Sequence, residues 1–408
     1  MADWERETVG AGRRLPAALL AVAVLAGLAA LAVADRQGPT PAEPRAPEDD
    51  RGLVVEPDAP PGVDPARPRG SWVSVPAPTA LTEPRLAWTG GQAVLLGEDA
   101  DGVVRGLAYT PANGQHRAVG PAPLPAWRQP HLVAAGGRLV AVTLDERPGA
   151  LAVAVHDPQA GTWRRARAAP LGQWDRLALA SDGREALLVG ERLVEGAATR
   201  EVRALRYDPR LDRWQALPSP DRSVRRVHDL AVLDDLLVAV VGLVDDHAPS
   251  ALAAIAVPLG PSPRAPRGGQ VGWSRPDRAP VLGRWAPAAL ARPDHGDVVV
   301  AGPARSGSAR LAGAAWVPWQ GWQPLGVGEG APPLRAPVLL GSDGGVLAWW
   351  ADAPLRVHAT GRAGWWPLPP TALAGRSGVA AAAAEGHPLL YDEADGRGAL
   401  WVAEELAR

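Results

Sequence analysis

The chain has 408 residues, which suffices for two or three ordinary domains or for one large all-β domain. Glycine and proline interrupt short apolar runs throughout, so composition favours the all-β alternative. The net charge of −2 argues against a general nucleic-acid-binding protein, and the absence of cysteine excludes disulfides, thiolate metal sites and thiol catalysis.

An apolar segment near the N-terminus predicts a membrane anchor. Residues 15–34 are uncharged, almost wholly apolar and long enough to span a bilayer core. Arg13 and Arg14 precede this segment, so residues 1–14 are predicted to form a cytoplasmic tail and the rest to lie outside the cell membrane. A signal-peptidase pattern ends at Ala34, so secretion after cleavage there is the alternative. The length of the segment favours the retained single-pass anchor.

The segment that follows is predicted to be a stalk. Residues 35–69 are rich in proline and acidic residues and lack apolar periodicity. Such a composition is typical of a disordered, extended linker. Residues 70–408 are therefore predicted to form the folded domain.

An internal repeat organises residues 70–408, and its clearest copy spans residues 207–220. In that copy a Tyr-Asp-Pro turn precedes a tryptophan strand, which a Leu-Pro pair ends. Four of the repeats also carry a tyrosine or histidine seven residues before the marker. The markers are spaced 43 to 59 residues apart and are Trp72, His116, Trp163, Trp214, Trp273, Trp322 and Trp365.

Each repeat also contains an apolar hairpin. The segments 86–96, 132–142 and 177–189 each fold about a Gly-Gly or Asp-Gly pair, which supplies the backbone conformation of a tight hairpin. The second arms, such as 236–241, are continuous apolar runs, as expected for strands covered on both faces. The prediction is an all-β, seven-bladed β-propeller, with six to eight blades open because an insertion at 258–270 blurs the fourth repeat.

The turn sequences carry a family resemblance. Tyr207-Asp208-Pro209 with Trp214, and His156-Asp157-Pro158 with Trp163, resemble the kelch-like propellers related to the central domain of galactose oxidase. The glycine doublet that this family carries after the second strand is single here, so a WD-repeat or another propeller is the alternative. The copper-radical chemistry of galactose oxidase requires a cysteine crosslinked to tyrosine, which this chain lacks.

The two ends of the repeat region are predicted to pair. After the last marker the pattern gives three strands, at 379–384, 388–391 and 399–402, and no fourth. Residues 71–75 form a strand without a repeat of its own, and pairing it with the last strand would close the ring and remove an open edge. The alternative is that residues 71–75 end the stalk.

An arginine lies at the start of the predicted innermost strand in nearly every repeat, and these positions would converge at one mouth of a central channel. Guanidinium groups bind carboxylate, phosphate or acidic glycans through forked hydrogen bonds. The alternative is structural, because the loops after the second strands are acidic and could pair with the arginines. The candidate ligand-binding residues are Arg85, Arg128, Arg176, Arg226, Arg284, Arg335 and Arg376.

No catalytic residue, cofactor or metal site is predicted. Segments 245–247 and 294–297 lack a defining metal-ligand spacing, and the Ser-Asp-Gly tripeptides at 181–183 and 342–344 fit ordinary hairpin turns. The sequence predicts a membrane-anchored, extracytoplasmic propeller that binds a protein or cell-envelope glycan without catalysis. Its alternatives are a glycan-directed hydrolase or lyase at the arginine-lined mouth and a structural spacer; oligomeric state is left open.

Overall fold

The computed structural model describes residues 72–403, except for positions 79–80, 146–149, 171–173, 194–199, 245–248, 261–271, 280–281, 283–286, 293–294, 304–309, 319, 330–337, 343–344, 351–352, 360–365, 368–376, 385–386 and 395–396. The predicted cytoplasmic tail, anchor and stalk at 1–14, 15–34 and 35–69 lie outside these residues. Within them, no helix has the length and apolar character needed to cross a membrane.

The described residues are almost wholly β-structure and include a short 3₁₀ turn at Pro111–Asn113. Their strands form seven four-stranded antiparallel sheets, numbered here in chain order. The first strand of the chain, β1 (Trp72–Ala77), belongs to sheet 7. Sheet 1 comprises β2 (Thr82–Trp88), β3 (Ala93–Glu98), β4 (Val104–Thr110) and β5 (Gln115–Val119). Sheet 2 comprises β6 (Arg128–Ala135), β7 (Arg138–Leu144), β8 (Leu151–Asp157) and β9 (Thr162–Arg165).

Sheet 3 comprises β10 (Trp174–Ser181), β11 (Ala186–Leu193), β12 (Arg200–Asp208) and β13 (Arg213–Ala216). Sheet 4 comprises β14 (Val224–Leu233), β15 (Leu236–Val244), β16 (Pro249–Pro258) and β17 (Asp277–Arg278). Sheet 5 comprises β18 (Ala288–Arg292), β19 (Asp297–Pro303), β20 (Arg310–Val317) and β21 (Gly321–Glu329). Sheet 6 comprises β22 (Val338–Ser342), β23 (Gly345–Trp350), β24 (Ala353–Ala359) and β25 (Trp366–Pro367). Sheet 7 comprises β26 (Ser377–Ala384), β27 (His387–Ala394), β28 (Arg397–Ala403) and β1.

The hairpins form where the sequence predicts them. The turn between β6 and β7 is Gly136-Gly137, and both glycines have positive φ, 59° and 73°. A two-residue hairpin whose twist matches its strands requires this conformation, which side chains disfavour. The turn between β10 and β11 uses Asp182 instead, whose Oδ1 accepts hydrogen bonds from the Arg184 and Glu185 amides.

The core lies between successive sheets. In β15 the side chains of Leu237, Ala239 and Val241 pack towards sheet 3, whereas the alternate residues of the same strand pack towards sheet 5. The continuous apolar run is therefore buried on both faces, as predicted. Fully burying each valine or leucine contributes about 1.5–3 kcal/mol, so the second strands contribute strongly to stability.

The sheets follow one another around a ring. The first strands of the sheets, β2, β6, β10, β14, β18, β22 and β26, contact each other in sequence order, and β26 contacts β2. An apolar cluster also joins sheet 7 to sheet 1, through residues such as Tyr391 and Leu95. This arrangement of four-stranded antiparallel sheets is propeller-like.

The predicted pairing of the chain ends is confirmed. β1 pairs antiparallel with β28, with Trp72 opposite Ala403 and Ala77 opposite Gly398. The strand extends two residues beyond the predicted 71–75 because its hydrogen-bonded register continues to Gly398. At that position an added Cβ would lie 2.3 Å from the Pro78 carbonyl oxygen, so this approach of the two chain ends requires glycine.

Among the markers that the structure describes, one falls outside a strand; Trp365 lies outside the described residues. Trp273 precedes the outer strand of sheet 4, which begins only at Asp277 and has two residues. Residues 261–271, the larger part of the predicted insertion, lie outside the described residues. Sheet 4 therefore departs most from the repeat, as the blurred phase of the sequence indicates.

Candidate functional site

Four of the seven candidate arginines lie on consecutive first strands. Arg85 is in β2, Arg128 in β6, Arg176 in β10 and Arg226 in β14. Each lies at or before the middle of its strand, and the four strands contact one another in order. The remaining candidates, Arg284, Arg335 and Arg376, lie outside the described residues.

These arginines do not share one register position. Three of the second strands each carry a single glycine near their end. One arginine lies opposite this glycine, another lies opposite the residue before it, and the third lies opposite the residue after it. A shift of one residue turns a side chain to the other face of a sheet, and every one of these strands has a register irregularity beside its arginine. The three pairs are Arg226 with Gly242, Arg85 with Leu96 before Gly97, and Arg176 with Glu191 after Gly190.

Arg85 joins two sheets. Its Nε donates to the Pro130 carbonyl of β6 at 2.8 Å, and its Nη1 donates to the Pro84 carbonyl at 3.0 Å. Burial lowers the pKa of Arg85, and the charge of Glu83 partly offsets this effect. For Arg85 the structural interpretation of the arginine series is therefore the better one.

Similar side-chain-to-backbone bonds link the next sheets. The side-chain Nε2 of Gln129 in β6 donates to the Asp175 backbone carbonyl of β10 at 3.2 Å. The Val227 amide in β14 donates to Glu191 Oε1 of β11 at 3.2 Å. The Ala289 amide in β18 donates to Asp229 Oδ2 of β14 at 2.7 Å. With the Arg85 bond to Pro130, these bonds connect sheets 1 to 5 in order.

Arg128 and Arg176 behave differently from Arg85. Both side chains are exposed. Across the part of the chain that the structure describes, no hydrogen bond or ion pair engages either guanidinium group. Exposed guanidinium groups on adjacent strands retain their full capacity to bind an oxyanion.

The acidic loop after β3 does not engage these arginines. Asp99 forms an ion pair with Arg105 of its own sheet, at 2.5 Å, and its Oδ1 accepts the Asp101 and Val103 amides. The hydrogen bond from Val103 is the main cause of the lowered pKa of Asp99. This loop therefore closes on itself.

Two histidines on the first strands were not among the predicted residues. Burial, reinforced by the charge of Arg85, lowers the pKa of His131 to about 4. Burial, together with Arg176 and Arg226, lowers the pKa of His228 to about 3. Both imidazoles are thus neutral at physiological pH and retain some exposure to solvent.

Asp229 follows His228 directly, and burial raises the pKa of its carboxyl group to about 6. Its Oδ1 accepts the Leu230 amide at 2.8 Å and its Oδ2 accepts the Ala289 amide at 2.7 Å. Because both oxygens are engaged by backbone groups, Asp229 acts as a clamp between sheets 4 and 5. The sequence carries a signal for His228 and Asp229, because two consecutive polar residues inside an apolar strand indicate a bulge.

In sheets 1 to 3 the marker aromatics pack against a neighbouring strand, as predicted. Each marker in sheets 1 to 3 lies opposite the tyrosine or histidine found seven residues earlier, on the neighbouring strand. The ring centroids lie 4.9 Å apart in sheet 2 and 4.6 Å apart in sheet 3. The three pairs are Tyr109 with His116, His156 with Trp163, and Tyr207 with Trp214.

Several markers also bind the preceding sheet. The indole nitrogen donates to a backbone carbonyl on or beside the outer strand of that sheet, so one interaction recurs from repeat to repeat. The three bonds are Trp214 to Arg167 (3.0 Å), Trp273 to Pro218 (2.7 Å) and Trp322 to Asp277 (2.9 Å).

The Tyr-Asp-Pro turn is held by an arginine of the sheet before it. Arg164 donates to the Pro209 carbonyl at 2.6 Å and pairs with Asp212 at 3.1 Å. The Tyr207 hydroxyl donates to the same Asp212 at 2.6 Å, and burial is the main cause of its raised pKa. Arg117 makes the equivalent bond to the Pro158 carbonyl one repeat earlier. This outer cluster is structural.

No metal site emerges from the described ranges, since no three histidine, aspartate or glutamate side chains there are arranged to hold an ion. The candidate at 245–247 and Asp294 lie outside those ranges, whereas His295 and Asp297 lie within them. The Ser-Asp-Gly tripeptide at 181–183 forms a hairpin turn, in which Ser181 Oγ accepts the Gly183 amide at 3.0 Å.

No protein-family model matches the chain, and no curated protein matches its sequence. Among solved structures, the chain is similar to a mutant of the Aleuria aurantia lectin in complex with α-methyl-L-fucoside. The identity is 14% and the TM-score 0.43, over 80% of this chain and 96% of that one. It is also similar to the β-propeller domain of the Trilobed protease from Pyrococcus furiosus, with 11% identity, a TM-score of 0.47 and the same coverage. Both TM-scores are below 0.5, so the propeller-like fold assigned here rests on the sheet topology of this chain.

Proposed function

We propose that this protein is a membrane-anchored, extracytoplasmic β-propeller that binds a protein or cell-envelope glycan without catalysis, and that an acidic glycan is the better fit. The observation that carries the proposal is the pair Arg128 and Arg176, exposed on neighbouring first strands and not engaged by the described residues. A glycan with several carboxylate or phosphate groups can contact both arginines at once, and such multiple contacts add to affinity.

A protein partner is less well supported. Protein interfaces usually depend on exposed aromatic or large apolar side chains at their centre. In the described part of the chain, Leu211 is the one exposed large hydrophobic residue, and it lies in the outer turn of sheet 3, away from the first strands. The first strands offer charge rather than apolar area, which suits a hydrated acidic polymer.

Catalysis is also less well supported than binding. A glycosidase requires two carboxyl groups free to exchange protons or attack the sugar. Two of the carboxyl groups on the described first and second strands are already engaged: Asp229 accepts two backbone amides, and the buried Glu191 accepts the Val227 amide. Groups used in this way hold sheets together, so the glycan-directed hydrolase or lyase remains the second candidate.

The proposal also includes seven blades, a kelch-like relationship and a single-pass membrane anchor. Seven blades are supported by the seven described sheets and by the cyclic contacts of their first strands. A kelch-like relationship is supported by the Tyr-Asp-Pro turn that packs against the marker tryptophan. The single-pass anchor, with the propeller outside the cell membrane, is supported by the apolar segment 15–34 and the arginines before it.

The test is binding of the full-length protein, in a mild detergent, to an array of acidic and neutral envelope glycans. We expect binding to acidic glycans that weakens with salt and is lost in the double variant Arg128→Ala, Arg176→Ala. The matched control is Arg165→Ala, Arg213→Ala, which removes two exposed arginines from the outer strands β9 and β13. Equal loss in both double variants, or binding to neutral glycans alone, contradicts the proposal.

A further inference from the structure

The outer junction between sheets 2 and 3 holds a carboxylate among several donors. Asp212 Oδ1 accepts the Tyr207 hydroxyl at 2.6 Å and the Arg167 amide at 3.1 Å. Arg164 Nη1 lies 3.1 Å from the same oxygen, and Arg164 Nη2 donates to the Pro209 carbonyl at 2.6 Å. Asp212 follows Tyr207 by five residues and has a left-handed backbone conformation, with φ of 51°. This junction therefore shows which group its scaffold binds, the carboxylate of one short side chain.

The preceding junction, between sheets 1 and 2, repeats the scaffold without that carboxylate. Arg117 donates to the Pro158 carbonyl, in the same way that the arginine of the next repeat ties sheets 2 and 3. Five residues after His156 the turn has Gly161, with φ of 68°, where the next repeat has Asp212. A Cβ added to Gly161 would lie 2.8 Å from Arg117 Nη1. The guanidinium group thus lies against the position from which an aspartate side chain would extend.

No carboxylate among the described residues engages Arg117. The nearest acidic residue in the turn is Asp157, whose Oδ1 accepts two amides of its own turn and whose Oδ2 lies 3.9 Å from Arg138 Nη2. His156 is buried against Trp163, and its Nδ1 has no hydrogen-bond partner in the described chain. The sheet 1–2 junction therefore keeps the cation of the scaffold but lacks its anion.

The sheet 1–2 junction is also accessible. The residue four positions after the marker is Arg167 in one repeat and Gly120 in the repeat before it. Gly120 is exposed, and no heavy atom lies within 4 Å of an added Cβ. Its amide donates to no acceptor among the described residues, whereas the Arg167 amide donates to Asp212. The imidazole of His156 is shorter than the phenol of Tyr207, so no hydroxyl group extends into the turn.

We propose that Arg117, Gly120 and Gly161 form a binding site for a small carboxylate anion at the outer junction of sheets 1 and 2. The anion takes the place that the Asp212 carboxylate has one junction later, between the guanidinium group and the Gly120 amide. A forked guanidinium group matches a planar carboxylate. Acetate has the heavy atoms of an aspartate side chain, and the exposed side at Gly120 admits a longer acid. The site lies on the outer strands and does not rest on the proposed function.

The experiment is a titration of the full-length protein, in a mild detergent, with isotopically labelled acetate, followed by nuclear magnetic relaxation of the ligand. Acetamide is the matched probe, because it has the same shape without the charge. We expect saturable binding of acetate and none of acetamide. Arg117→Gln should weaken acetate binding by about tenfold, because a charge-assisted hydrogen bond is lost.

Gly161→Asp supplies the carboxylate from the chain itself. The added side chain meets only the flexible end of Arg117, and aspartate tolerates the left-handed conformation, as Asp212 does. We expect this variant to bind acetate at least about tenfold more weakly than the wild type. The matched control is Gly114→Asp, five residues after Tyr109, where φ is 66° and no heavy atom lies within 4 Å of the added Cβ. It should bind acetate normally and melt at a lower temperature than Gly161→Asp.

Asp212→Gly should create a second copy of the site. We expect acetate to raise the melting temperature of Asp212→Gly by more than it raises that of the wild type, because the anion replaces the lost carboxylate beside Arg164. Absence of saturable acetate binding by the wild type overturns the proposal. Equal acetate binding by the wild type and a folded Gly161→Asp variant overturns it as well, because the site would then lie elsewhere. Either result leaves the proposed glycan binding by the first strands intact.

Discussion

At the level of single residues, the first strands place neutral histidines beside guanidinium groups. His131 lies near Arg85, and His228 lies near Arg176 and Arg226. Each histidine has a folded-state pKa below the ordinary 6.5. At pH values between its folded-state pKa and 6.5, each histidine binds a proton in the unfolded chain but not in the folded protein. Each histidine therefore makes stability fall as pH decreases through this range.

The consequence is a measurable pH dependence of stability. The contribution of His228 is fully present above pH 6.5 and is lost progressively towards its folded pKa of about 3. We expect His228→Gln to remove up to about 2 kcal/mol of the stability difference between pH 6.5 and pH 5. Asp229 acts in the opposite sense, because its raised pKa of about 6 makes the folded state lose stability as pH rises from about 4 to 6.

Urea unfolding of the wild type and His228→Gln at both pH values tests this expectation, because the Asp229 contribution is common to both proteins and cancels. Equal pH dependence of the two proteins would mean that His228 is already protonated or solvated in the folded state.

The sequence identified the arginine positions but not their separate roles. The periodic arginines were visible as a set, whereas the division between Arg85, bound to the Pro130 carbonyl, and the exposed Arg128 and Arg176 depends on strand register. Register shifts beside each arginine come from local bulges, which composition and spacing do not reveal. His228 was missed because a lone histidine in an apolar strand usually belongs to the core.

At the level of strands and turns, the outer strands hold neighbouring sheets together through their tryptophans. Trp214 of β13 donates its indole N–H to the Arg167 carbonyl at 3.0 Å. The equivalent indole nitrogen of Trp163 in β9 is buried and has no hydrogen-bond partner among the described residues. Two residues at the same position in successive repeats thus differ in one hydrogen bond.

This difference predicts unequal effects of the same substitution. Trp214→Phe should cost about 1 kcal/mol more than Trp163→Phe, because only Trp214 loses a hydrogen bond while both lose similar aromatic area. Thermal or urea unfolding of the two variants provides the comparison. A larger loss for Trp163→Phe would contradict the assignment of the Trp214 indole as a link between sheets.

The turn and hairpin elements were the most predictable part of the fold. Gly136-Gly137 and Asp182-Gly183 form turns where the sequence indicates them, and Tyr207 pairs with Trp214 as the seven-residue spacing requires. The outer strands of sheets 4 and 6 were less predictable, because each has only two residues, Asp277–Arg278 and Trp366–Pro367. A strand this short has too few residues for an alternating pattern.

At the level of the whole molecule, the ring is closed by pairing its two ends. β1 completes sheet 7 by pairing with β28, and Tyr391 donates its hydroxyl hydrogen to the Pro78 carbonyl at 3.0 Å. The closure was predictable from a missing fourth strand after the last repeat. It replaces an open sheet edge with paired backbone in a chain that has no cysteine.

Closure depends on the small size of Gly398. A Cβ at this position would lie 2.3 Å from the Pro78 carbonyl oxygen, so Gly398→Ala should destabilise the protein by about 1–3 kcal/mol. Gly91→Ala is the matched control, because no heavy atom lies within 4 Å of its added Cβ. Unfolding curves of the two variants test the claim, and equal stability would argue against a tight approach of the chain ends.

The central claim is that exposed arginines on neighbouring first strands bind an acidic glycan. Its most direct test is the dissociation constant of tri-galacturonate or glycerophosphoglycerol, whichever the wild type binds, for the wild type and for Arg128→Ala, Arg176→Ala, each at low and high salt. We expect the wild type to bind more tightly at low salt and the double variant to lose both affinity and salt dependence. Unchanged affinity in a folded double variant would contradict the account.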